Sequence, residues 1–208
     1  MKMAHNFLRM IMVMLTIYAV QAKAIEEAKY SVVQQDGRFE IRDYEPYLLA
    51  EVVVDGEFEE AGNKAFRYLF KYISGSNQPQ AEIAMTAPVS QTNRGEEISM
   101  TAPVSQTSSD GKYVVSFMMP AEYTPQTIPQ PTDTAVSIRH VPAHRMAVVR
   151  YSGRWSKSNY HENKQALDTW VAKQEFQVIG EPVWARYNAP FSLWFMRRNE
   201  IMLPVAIK

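Results

Sequence analysis

The chain repeats itself at an offset of 97 residues, which directs it toward folds in which two like units share one core. Ile41-Arg42 matches Ile138-Arg139, Ala50 matches Ala147, Val52 matches Val149, Gly56 matches Gly153, and Phe58 has an aromatic counterpart in Trp155. In both copies a β-rich run closes on a glycine and passes into helix-forming sequence, so the order of elements is shared as well as the residues. Duplication explains that order better than chance. A second repeat has a period of 15: Ile83-Ala-Met-Thr-Ala-Pro-Val-Ser-Gln-Thr92 returns as Ile98-Ser-Met-Thr-Ala-Pro-Val-Ser-Gln-Thr107. The polar run Asn93-Arg94-Gly95-Glu96-Glu97 between them suits a hairpin turn. Pro88 and Pro103 cannot donate to a ladder and belong at an edge, a bulge or a strand end.

The first helix is expected from Glu57 to about Ser74, with Asp55 as its N-cap and Gly75 at its end. Phe58, Gly62, Ala65, Phe66, Leu69, Tyr72 and Ile73 collect on one face, and Glu60, Lys64, Arg67, Tyr68 and Lys71 on the other. The second helix is expected from Ser156–Asn159 to about Glu175, burying Tyr160, Leu167, Trp170 and Val171. Two β-like segments follow each helix: the MTAPV copies and Lys112 to Met119 after the first, residues 178–187 and 193–205 after the second. Pro120, Pro125, Pro129 and Pro131 make residues 120–134 a stiff surface connection between halves at about 28–119 and 135–205. The expected architecture is α+β: duplicated β-α-β-β units merging into a distorted, antiparallel-rich β-barrel flanked by two helices.

Residues 1–24 read as an export signal. Lys2, His5 and Arg9 precede the apolar run from Met10 to Val20, which ends in the small-x-small triplet Ala22-Lys23-Ala24. The run is about half of the roughly 20 residues that a bilayer span requires. No cysteine follows it and no arginine pair precedes it, which points to the general secretory route, to a mature chain of residues 25–208, and to the periplasm or secretion. Lys2, Arg9 and Lys23 lie in that segment and no acid does, so its removal turns a neutral chain (22 basic, 22 acidic residues) into one of formal charge −3. Neither balance suggests a nucleic-acid partner. At 208 residues the chain is long enough to bury a core without metal or disulfides. The absence of cysteine excludes disulfide scaffolds, thiolate metal sites and cysteine nucleophiles together.

Catalytic patterns are missing. The chain has no G-x-S-x-G, no S-x-x-K and no phosphate-cradling glycine loop, so no enzyme is expected. His140 and His144 are spaced to share one strand face, as a two-His metal site or as a solvated face. His161, in the first turn of the second helix, reads as a surface residue. Met85, Met100, Met118, Met119, Met146, Met196 and Met202 supply polarizable surface or core filler.

The segment Tyr30 to Gly56, the helix end Lys71-Tyr-Ile-Ser-Gly-Ser-Asn77, the tandem MTAPV segments, Met118-Met-Pro120 and the closing Phe195-Met-Arg-Arg-Asn-Glu-Ile-Met-Leu-Pro-Val205 resemble the SOUL family of heme-binding proteins. The likeness covers about residues 28–205. It implies two β-α-β-β repeats in a distorted barrel with two flanking helices, an architecture also similar to small-molecule effector domains of bacterial regulators. It further implies reversible binding of heme or another tetrapyrrole in a shallow apolar groove beside the first helix and the loop before the last strand. Carried over by motif, Lys71 matches a basic groove residue and Asn188-Ala-Pro-Phe-Ser-Leu193 matches the groove loop. Lys64, Arg67, Tyr68, Tyr187, Phe191 and Trp194 complete the candidate site by position. No His lies between residues 25 and 139, so an axial ligand would come from His140, His144 or His161, from a Met or Tyr, or not at all. The expectation is therefore a monomer that holds heme by packing and propionate contacts, with no membrane partner after signal cleavage. The alternatives are an effector-type module for another hydrophobic or cationic molecule, or an interaction protein without a ligand.

Overall fold

The computed structural model describes residues 25–79, 95–109 and 111–208. The export signal at 1–24, the first MTAPV copy and the hairpin it was to form with the second copy lie outside the described residues.

Strands form where β-branched and aromatic residues alternate with polar ones. They are β1 (Tyr30–Asp36), β2 (Phe39–Tyr44), β3 (Tyr47–Val54), β4 (Asn77–Gln78), β5 (Val104–Ser109), β6 (Lys112–Met118), β7 (Gln130–Pro131), β8 (Val136–Val141), β9 (His144–Tyr151), β10 (Phe176–Val178), β11 (Val183–Arg186) and β12 (Asn199–Ile207). The helices are α1 (Phe58–Ile73) and α2 (Lys157–Val171). Among the described residues, no helix is long and apolar enough to cross a membrane.

Ten strands make one antiparallel sheet in the order β1-β2-β9-β12-β11-β5-β6-β3-β8, with β10 on the far end of β12. The fold is thus a mostly antiparallel sheet with two helices. Its hydrogen-bonded path ends at β1 on one side and β8 on the other, so the ladder does not close into the expected barrel. The first helix is preceded by β1, β2 and β3 and followed by the short β4 and then β5 and β6. The second is preceded by β8 and β9 and followed by the short β10 and then β11 and β12, so each unit holds more strands than expected. On the outer face α1 packs Ala61, Ala65, Leu69 and Tyr72 against Ala50, Val52, Val115 and Phe117. On the same face α2 packs Leu167, Trp170 and Val171 against Ile41, Ala147, Val149, Ile201 and Leu203. The inner face carries two smaller clusters, around Tyr44, Met146 and Met202 and around Leu49, Met118 and Val141. Ala28 and Tyr47 touch both inner clusters, so the sheet curls until its two wings meet over them.

Several boundaries differ from expectation for local reasons. The N-cap of α1 is Glu57, without a side-chain cap. Asp55 instead pairs with Lys112 at 3.5 Å. Ser156 caps α2 by accepting from the Asn159 amide. That helix stops at Val171 because the following Ala-Lys-Gln-Glu has nothing apolar to bury, and the amides of Lys173 and Gln174 bond back three residues in a tight turn. The last strand begins at Asn199 rather than 193, because Trp194–Met196 form a single 3-10 turn. The proline-rich connection is pinned to α1: Tyr72 donates to the Pro129 carbonyl, β7 pairs with β4, and Ile128 is buried.

Candidate functional site

Strand β11 alternates its side chains across the sheet, sending Trp184 and Arg186 to the outer face and Ala185 inward to the cluster around Met146 and Met202. Across the outer face Phe117, Val104, Arg186, Asn199 and Tyr151 lie side by side in register. Strands are about 4.8 Å apart, so Arg186 sits roughly 10 Å from Phe117. Phe66 of α1 stands edge-on over Phe117 with ring centroids 5.4 Å apart, and Phe70 stacks on Phe66 at 5.7 Å. One turn earlier Gly62 leaves room for the Arg186 guanidinium: a Cβ there would lie 2.5 Å from Nη2. Arg186 and Val104 therefore floor a groove along the flank of α1 that carries Gly62, Phe66 and Phe70.

The loop between β11 and β12 approaches Arg186 through Trp155, whose ring meets both Arg186 and Arg197. Its backbone is fixed: Arg197 donates to the carbonyls of Pro190 and Ser192, the Arg198 amide donates to Asn188 Oδ1, and the Gly153 amide donates to the Trp194 carbonyl. Its apolar side chains point outward nonetheless. Phe191 is 90% exposed and Met196 69%, with Leu193, Trp194 and Phe195 each more than half or half exposed. A contiguous apolar patch on a pinned loop marks a binding surface.

Beside this loop Arg186 is charged and unmatched. Its guanidinium lies 4.9 Å from the Trp184 ring centroid and 5.4 Å from that of Trp155, and Trp155 is covered on its other side by Arg197 at 4.2 Å. No carboxylate or carbonyl among the described residues accepts from Arg186, and its Nε is buried without a hydrogen-bond partner. Gln106 Oε1, register-paired through Trp184, lacks a partner as well. Burial pushes the Arg186 guanidinium down to about 10, so it remains a cation at neutral pH. A half-buried cation with only aromatic faces for company leaves its in-plane N–H donors available to an anion.

The residues expected to form the site are not all brought together. Phe191 and Trp194 lie on the groove loop. Lys64 and Lys71 are exposed on the other flank of α1. There Lys64 reaches the Asp55 carbonyl, while Lys71 and the half-buried Tyr68 edge a shallow depression against Pro131 to Thr134. Arg67 is exposed on the crest of the helix. Tyr187 points inward, donates to Glu200 at 2.8 Å and stacks beneath Arg198. His140 and His144 do not share a strand: His140 belongs to β8 and His144 opens β9 after a turn. His144 stacks on Tyr44 inside the curled sheet, and His140 lies beside Pro120 and Pro125. Among the described residues no three His, Asp, Glu or Cys converge as a metal site. Sequence reasoning missed Arg186 and Trp155 as groove residues and placed Gly62 and Phe66 only in the core. The available signal was Val183-Trp-Ala-Arg186, where strand alternation puts an arginine on the same face as a core tryptophan.

A family model described as SOUL heme-binding protein matches residues 25–204. The chain is 27% identical to heme-binding protein 2 of Mus musculus over 185 residues, covering 84% of this chain and 85% of that one. It is 29% identical to heme-binding protein 2 of Homo sapiens over 174 residues, covering 81% and 78%. Among solved structures, the C-terminal domain of EcmrR superposes with a TM-score of 0.60 at 9% identity, covering 86% of this chain and 99% of that one. A hydrolase from Listeria innocua superposes with a TM-score of 0.53 at 12% identity, covering 84% and 94%. At those identities the structural likenesses speak for the fold alone.

Proposed function

The chain belongs to the SOUL heme-binding protein family, and from that premise we propose that it binds heme or a related tetrapyrrole reversibly in the groove between α1 and the β11–β12 loop. The observation that carries this reading is Arg186. A tetrapyrrole presents a broad apolar face and carboxylates at one edge. Phe66, Phe70, Phe191 and Trp194 offer surface for the face, and the unmatched guanidinium offers donors for a propionate. The groove fits that edge and face better than it fits an iron ligand. His140 and His144 lie elsewhere, so the protein side holds the ligand by packing and charge rather than by an imidazole on the metal. Binding of this kind suits buffering, sequestration or handover rather than catalysis. Within the same reading, residues 1–24 direct export, with the periplasm as the destination. The matched order of β2-β3-α1-β5-β6 and β8-β9-α2-β11-β12 reflects duplication, and the curled sheet is a distorted, nearly closed barrel.

The test is titration with hemin and with metal-free protoporphyrin. Both are expected to bind with similar affinity, and Arg186→Leu is expected to weaken both by about tenfold or more, the worth of a charge-assisted hydrogen bond of roughly 1.5–3 kcal/mol. Binding of hemin alone, with a sharp Soret shift, would overturn the account by revealing an axial ligand. Unchanged affinity in Arg186→Leu would move the site.

A further inference from the structure

The inner face of the sheet encloses a cavity of about 420 Å³ that the groove does not use. Its origin is one cross-strand row. Glu51, Ser116, Ser105, Ala185 and Glu200 stand opposite one another on β3, β6, β5, β11 and β12. The three middle side chains are small, where a curled sheet would ordinarily place large ones to fill its own interior. The walls on either side are large and soft: Leu49, Met118 and Tyr47 on one wing, Tyr44, Met146 and Met202 on the other. Ser116 is 5% exposed and lines the hollow, and its hydroxyl has no hydrogen-bond partner among the described residues. A hydroxyl that opens onto a hollow of this size and bonds to no other residue is available to an occupant.

The charges at the two ends of the row decide the kind of occupant. Glu51 is taken by both guanidinium arms of Arg139 at 2.8 and 2.7 Å. Glu200 is taken by Arg42, Arg198 and Tyr187. Neither end has an unmatched charge to offer, and Glu181, the other carboxylate of the lining, is exposed to solvent at the rim, so a charged molecule seated against the row would lose its hydration for nothing in return. The Ser105 and Ser116 hydroxyls remain, each able to give and accept one hydrogen bond. Methionine and tyrosine walls adapt to flat, apolar rings.

We propose that the interior of the curled sheet is a second binding site, separate from the tetrapyrrole groove, for a small uncharged aromatic molecule bearing one hydrogen-bonding group that meets Ser116. Val183 lines this site from the strand whose Arg186 floors the groove, so the two sites lie on opposite faces of one sheet and both can fill at once.

N-phenyl-1-naphthylamine, neutral and aromatic with a single N–H, serves as the probe in calorimetric titrations of the protein alone and of the protein saturated with hemin. One molecule is expected to bind per chain in both cases, with little change in affinity. Ser116→Leu, which fills the hollow, and the milder Ser105→Val are each expected to weaken the naphthylamine by tenfold or more. Hemin affinity should stay unchanged in both, which also reports that they fold. Arg186→Leu should leave the naphthylamine unaffected. Absence of binding to the wild-type protein, stoichiometric displacement by hemin, or unchanged affinity in both serine variants would overturn the proposal. A failure of hemin to bind would count against the groove and leave the interior site standing.

Discussion

Two residues carry opposite relations between charge and stability. Arg186 holds a cation among tryptophans without an anion, so replacing it should stabilise the empty protein while harming its binding. Arg186→Leu is expected to raise unfolding free energy by about 1 kcal/mol in the absence of porphyrin, the relief of desolvation exceeding the lost aromatic contacts. A higher Tm without ligand, combined with weaker ligand binding, checks it. Glu200 is the reverse case: burial favours its neutral form, but hydrogen bonds and charge from Arg42 and Arg198 more than offset this and hold its pKa below the usual carboxylate range. The stability it contributes is therefore full above the unfolded value of about 4.3 and is lost as pH falls through the lower folded value. Glu200→Gln should cost about 1.5–3 kcal/mol at neutral pH, since it takes the shared carboxylate from Arg42 and Arg198, which keep only Glu40 and Glu27, and should flatten the loss of stability below about pH 4. Urea unfolding at several pH values reads both effects. The Arg-Arg-Asn-Glu segment stands out in the sequence, but its role does not, because the arginine that completes it, Arg42, lies 158 residues away.

At the scale of elements, the sequence was most legible where one period governs. The apolar face of α1 reads directly from its spacing, and Ala65, Leu69 and Tyr72 are buried as expected. Periodicity says which face is buried but not which flank looks onto which neighbour. Lys64 and Lys71 were grouped with the loop residues although the helix separates them. The groove lies on the flank of Phe66 and Phe70, and the lysines lie on the side of the proline-rich connection. The double variant Lys64→Glu, Lys71→Glu is accordingly expected to change hemin affinity less than threefold. Phe191→Ser with Trp194→Ser should reduce it by tenfold or more, as absorbance titration would measure. The β11–β12 loop was itself read as partly strand because Leu193 to Met196 is apolar. What keeps it from pairing is the set of bonds from Arg197, Arg198 and Gly153, contacts that no local pattern announces.

For the whole molecule, the repeat made the α+β class and the two helices legible, while the open sheet path depends on which strands find each other. Those pairings cross the sequence halves. β2 of the first half lies against β9 of the second along six residue pairs, and β8 of the second lies against β3 of the first along six more. Between them β5 and β11 join through four. One lobe of the sheet thus contains β1 and β2, lent by the first half of the chain, and the other contains β8, lent by the second. The two halves resemble clasped hands more than beads on a string, and the connection at 120–134 is not where the molecule comes apart. A chain cut within that connection should give two fragments that are each unfolded alone and that restore native circular dichroism and hemin binding when refolded together. Although each half carries its own helix and strands, their strands pair across the halves, and the unit expected to fold is the pair.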